Sequence, residues 1–148
     1  MIGICGEVNF MPEQPKKLII TRLECPDDAE PVKQEDPSWS DIEKAIRRLD
    51  GDEHTLVVLG FGGAQGPHMA VGGGENDRYI VCTTKDSNVF HIVINPNAPD
   101  GRCMLVAGGQ YGDYPLKSCV SLSDALRAAK TYAETGENDS SLNWQRRG

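Results

Sequence analysis

Apolar and polar positions alternate at two different spacings along this chain, and the spacing separates helices from strands. Trp39, Ile42, Ile46 and Leu49 recur at helical intervals, which predicts an amphipathic helix. Ser38 stands as its N-cap with Asp41 three residues on, Arg47 and Arg48 suit its C-terminal turn, and Asp50-Gly51 stops it. A second helix opens at Ser121, with Asp124 in the same capping relation. It carries the stripe Leu122, Ala125, Leu126, Ala129, Tyr132 and Ala133, and closes at Gly136. Between the helices the pattern turns to short β-rich runs: residues 54–61, a nearly continuous apolar stretch, then 67–71, 78–84, 89–94 and 102–107. A further strand is expected over 17–24. Short polar or glycine-rich turns join these runs, among them Gly60 to Gly66 and Gly72-Gly73-Gly74. Successive strands joined by tight turns predict an antiparallel meander. With one helix before the strands and one after, and no βαβ alternation, the expected fold is α+β: a meander sheet of about five to six strands with two main helices packed on it.

The remaining segments read as loops. Residues 1–16 are mixed, and Pro12 and Pro15 break any long element. From Glu24 to Asp36 the chain holds six acidic side chains against Lys33 alone, with Pro26, Pro31 and Pro37 among and beside them, which predicts an acidic loop. Gly108-Gly109 ends an apolar strand, and Tyr111 and Tyr114 are expected in the loop that follows. Trp144 is expected to anchor the polar tail to the core, and the terminal RRG to fray.

A length of 148 residues with 39% apolar and 25% charged content fits one globular domain spanning 1–148, large enough for a core without staples. The longest apolar runs are far shorter than a membrane span, and the first residues lack a basic n-region; a cytoplasmic location is expected. The five cysteines, Cys5, Cys25, Cys82, Cys103 and Cys119, are scattered without a C-x-x-C pair, as for buried free thiols in a reducing compartment. A formal net charge of −7 disfavours binding to nucleic-acid phosphates and favours a basic partner or plain solubility.

Tests for chemistry return little. GFGGAQG follows a strand, but Gln65 stands where the third glycine of G-x-G-x-x-G belongs, and no Gly-Lys-Ser/Thr follows. His54, His68 and His91 are too scattered for a metal motif. Asp41 and Asp124 are explained by capping. No catalytic residue, cofactor site or metal site is expected, and no small-molecule substrate. Binding is the better expectation: tyrosine supplies large contact area at low entropic cost.

The order of an early helix opening at Trp39 and ending Leu49-Asp50-Gly51, then Val71-Gly72-Gly73, the block Gly108-Gly109-Gln110-Tyr111-Gly112 with Pro115, the helix Ala125 to Ala133 with Gly136, and Trp144 resembles the immunity proteins of bacterial polymorphic toxin systems, of the kind paired with deaminase-type toxins. The resemblance covers about residues 38–146, and the first 37 residues match nothing in it. It implies a cytoplasmic antidote without catalysis that binds a cognate toxin domain, the toxin being a zinc deaminase acting on a base or nucleotide. The interface expected on physical grounds has Tyr111 and Tyr114 as aromatic anchors, Glu75, Asp77 and Asp113 as charge complements, and Asp27, Asp28 and Glu30 as a peripheral acidic site. Two other readings stay open: an adaptor or assembly domain that contacts another basic protein, and a small ligand-binding domain using the glycine loops.

Overall fold

A computed structural model describes residues 17–63 and 66–148. The expectations for residues 1–16 and for Ala64 and Gln65 of the glycine turn lie outside the described residues. In chain order the elements are β1 (Arg22–Cys25), β2 (Val32–Glu35), α1 (Trp39–Arg48), β3 (Leu56–Gly60), β4 (His68–Gly73), β5 (Tyr79–Thr84), β6 (Phe90–Ile94), β7 (Arg102–Ala107), β8 (Gln110–Pro115), α2 (Leu122–Thr135) and β9 (Asn143–Arg147). Seven strands form one antiparallel sheet in the order β9-β6-β5-β4-β3-β1-β2, and β7 pairs with β8 in a separate two-stranded ribbon. The fold is α+β, and β3 to β6 are the expected meander.

Both helices start where their caps dictate. Ser38 Oγ accepts from the Asp41 amide at 3.1 Å, and the Asp41 carboxylate accepts from the Ser38 amide at 3.0 Å, a complete capping box. Ser121 Oγ accepts from the Asp124 amide at 3.2 Å, and α2 closes on Gly136 at φ 73°. Ile42, Ala45 and Ile46 of α1 and its C-cap Leu49 meet Ala125, Ala128, Ala129 and Ala133 of α2 and one face of the sheet in a single core. The four alanines keep α2 thin, so it packs closely on α1 and across β4 and β5. Each fully buried Ile, Leu or Val adds about 1.5–3 kcal/mol. The inward rows follow from register. Val57, Val71 and Val81 stand side by side, and next to them Leu59, Met69, Thr83 and His91 do the same. The first row is apolar throughout, while the second turns polar at Thr83.

Several expectations are corrected. The strand expected over 17–24 is confined to Arg22–Cys25, because the amides of Ile19 and Ile20 bond to the Ala133 carbonyl of α2 instead. The acidic stretch is not all loop: Val32–Glu35 pairs with β1. Gly72 and Gly73 continue β4 rather than turning, and a side chain at Gly72 would collide with Ala107 of the ribbon lying over it. The loop expected to carry Tyr111 and Tyr114 is strand β8. The tail does not fray: Arg146 and Arg147 pair with His91 and Phe90. Trp144 packs against the core as expected, and its Nε1 donates to the Asp139 carbonyl at 2.9 Å. Of the cysteines, Cys25 and Cys103 are buried, Cys82 and Cys119 half-buried, and all four are free; Cys5 is outside the described residues. Among the described residues no helix is long and apolar enough to cross a membrane.

Candidate functional site

The ribbon stands on the sheet face that the helices leave open. Gly108 and Gly109, at φ 63° and 76°, make a two-residue turn with both residues in the left-handed region, the type I′ geometry that suits a twisted hairpin. The turn is pinned to buried Thr55: the Gly108 amide donates to its carbonyl at 3.2 Å and the Gly109 amide to its hydroxyl at 2.9 Å. Register then sorts the side chains into two faces. Cys103, Leu105, Gly112 and Tyr114 share one, on which Cys103 and Leu105 are buried. Arg102, Met104, Val106, Tyr111 and Asp113 share the other, on which Tyr111 is 77% and Met104 56% exposed. Asp113 pairs with Arg102 at 3.2 Å, both well exposed.

The two tyrosines therefore part. Tyr111 presents its ring outward. Tyr114 lies half-buried beneath the ribbon, its ring against Gly112. Burial there raises its pKa, with the neighbouring Cys82 and Cys119 thiols adding to the effect.

The acidic candidates gather at one end of the sheet. Because the strands are antiparallel, the β1–β2 turn, the α1–β3 loop and the β4–β5 turn all emerge at the same end. They carry exposed Asp27, Glu30, Asp50, Asp52, Glu53, Glu75 and Asp77. Asp27 lies directly beside the ribbon turn, where a Cβ on Gly108 would stand 3.5 Å from its carboxylate. Asp77 spends one oxygen on the α2 N-terminus, accepting from the Leu122 amide at 2.9 Å. Asp28 departs from the expectation of a peripheral acidic site. It is only 8% exposed, bonded to Arg48 at 2.9 Å, with His54 Nδ1 lying 3.2 Å away. It ties the β1–β2 turn to the end of α1 and the start of β3, since a buried carboxylate must be paired.

Asp50, Glu53 and His54 are grouped at a spacing that could hold a cation. Asp50 Oδ1, however, accepts from the amides of residues 52, 53 and 54 at 2.9–3.0 Å, which holds its pKa below the usual range. The group reads as a loop cap.

Geometry thus brings Tyr111, Asp27, Glu30, Glu75 and Asp77 to one end, keeps Asp113 on the exposed ribbon face, and separates Tyr114 and Asp28 from them. Sequence reasoning missed Met104 and Val106. Their period-2 spacing from Arg102, opposite the buried Cys103 and Leu105, was the available signal.

At the other end of the sheet a cavity of about 630 Å³ opens between the C-terminal end of α2 and the β5–β6 hairpin. Phe61 and Tyr132 line it, ring centroids 5.9 Å apart and tilted by 53°. Tyr132 is 3% exposed, and its hydroxyl has no hydrogen-bond partner among the described residues. Burial and then Glu137 push its pKa up to about 12.

The family model described as Immunity protein Imm1 matches residues 33–146, from within β2 into β9. No curated protein and no solved structure matches the chain.

Proposed function

Since the chain belongs to the Immunity protein Imm1 family, we propose that this immunity protein neutralises a deaminase-type toxin of bacterial competition, in the cytoplasm, by direct contact and without chemistry of its own. The observation that carries the reading is the acidic end of the sheet with the exposed Tyr111 ring beside it. A toxin that grips nucleic acid needs a basic groove. Acidic loops facing such a groove raise the encounter rate, and a desolvated tyrosine slows escape. Tyr111 is the central anchor, with Met104 and Val106 extending its apolar contact on the ribbon face. Asp27, Glu30, Glu75 and Asp77 form the charged rim, with Asp113 at the ribbon's side. Tyr114 supports the strand from beneath. A specific interface buries about 800 Å² per partner, so loops and ribbon must act together.

The test is co-expression with a deaminase-type toxin domain from a neighbouring gene, should the genome encode one there, scored by growth and by binding kinetics. Tyr111→Ala is expected to speed dissociation about tenfold or more. The double change Asp27→Lys and Glu30→Lys is expected to slow association and flatten its salt dependence, with dissociation little altered. Unchanged affinity in Tyr111→Ala would remove the anchor. Absence of both rescue and complex with the wild-type chain would remove the reading itself.

A further inference from the structure

We propose that the cavity between α2 and the β5–β6 hairpin holds a small zwitterion with an apolar body, in chemical class a free amino acid. Groups of both charges line it. On one side are the carbonyl end of the 14-residue α2 and, just beyond it, Glu137, close enough to act on the Tyr132 phenol. The negative end of a helix and a carboxylate beside two aromatic rings suit an ammonium group. On the other side are Lys85 and His91 of the hairpin. The hairpin's own acid, Asp86, is turned to its backbone and accepts from the amides of Asn88 and Val89 at 2.9 and 3.0 Å. Among the described residues the exposed Lys85 forms no ion pair, so its ammonium can meet a carboxylate.

Between the walls, Phe61 and the edge of the Tyr132 ring offer apolar surface, with the Tyr132 hydroxyl buried behind it. Here, too, the inward row of the sheet changes from Leu59 and Met69 to Thr83 and His91, while the neighbouring valine row stays apolar. The interface becomes polar where it opens, and there the Thr83 hydroxyl donates to Asn138 Oδ1 at 2.8 Å, tying the sheet to the segment after α2. The volume of about 630 Å³ lies in the range of small-ligand sites. The cavity lies at the end of the sheet away from the acidic loops, so its occupation and toxin binding are separable.

The probes are L-phenylalanine, 3-phenylpropanoate and phenethylamine, which share a ring and differ in charge, each titrated into the full chain and followed by amide chemical shifts. Phenylalanine is expected to saturate, with shifts confined to residues such as Thr83, Lys85 and Asn138. The single-charge probes are expected to bind at least about tenfold more weakly, each having lost one charge-assisted contact. Glu137→Gln and Lys85→Met, both at exposed positions, should each weaken phenylalanine by a similar factor with the melting temperature unchanged. Both exposed variants should still protect cells from the toxin. The proposal is overturned if no probe saturates, if either single-charge probe matches phenylalanine, or if the charge variants leave its affinity unaltered.

Discussion

Tyr132 concentrates two opposed tendencies in one side chain. Its ring is part of the core, yet its hydroxyl is buried without a partner among the described residues, and such a group costs about 1–3 kcal/mol. Tyr132→Phe should therefore leave neutral-pH stability unchanged or raise it. The sign reverses no further up the scale. The folded-state pKa is raised from 10 to about 12, chiefly by burial. Folding is thus favoured fully below pH 10, and that contribution is lost as pH climbs towards 12. Cys119, raised from 9.0 to about 12 by burial and then by its hydrogen bond with Cys103, adds a loss of the same sign beginning one unit lower. Melting curves from pH 8 to 12 should fall less steeply for Tyr132→Phe than for the wild type; superimposable slopes would show that the phenol carries none of the alkaline loss. Asp28 illustrates what a sequence withholds at this scale. In an acidic, proline-flanked stretch it reads as solvated, and its burial becomes visible only with partners as distant in the chain as Arg48 and His54. Ser38 and Asp41, three residues apart, were legible because both partners of the capping box lie within one helical turn.

The helices were readable as whole elements for that same reason, and the cap of α1 can be tested in isolation. Ser38→Ala should cost about 1 kcal/mol, read as a lower melting temperature with the fold retained. It removes the acceptor for the Asp41 amide, while the Asp41 carboxylate keeps its hydrogen bonds from the residue 38 amide at 3.0 Å and from Gln34 at 2.8 Å. An unchanged melting temperature would mean that Asp41 and Gln34 hold the helix start without the serine. The ribbon was half legible. Its first strand shows the expected β-rich run, but QYGDYP contains glycine, aspartate and proline and reads as turn. What makes it a strand is the partner. Two consecutive glycines set a hairpin turn with Ala107 opposite Gln110, and pairing then carries the rest to Arg102 opposite Pro115. Strand propensity here is a property of the pair, not of the segment.

For the molecule as a whole, the meander β3 to β6 follows from order along the chain, since each strand pairs with the next. The flanks do not. β1 reaches past α1 to β3, and β9 returns past the ribbon and α2 to β6. Neither pairing is written in local pattern, so the expected five to six strands undercount a seven-stranded sheet. Long-range closure of this kind is slow relative to local contacts, and β6 stays an open edge until β9 docks. Cutting the chain after Leu142 should make refolding yield fall with protein concentration, seen as light scattering that the full chain does not show. Equal yields would mean β6 is protected by something other than β9.

Once docked, β9 is itself the boundary of the sheet, with exposed Arg146 and Arg147 along it. Charged side chains along an edge strand discourage a further strand from pairing there. A guard against strand addition is thus written into this rim of the sheet.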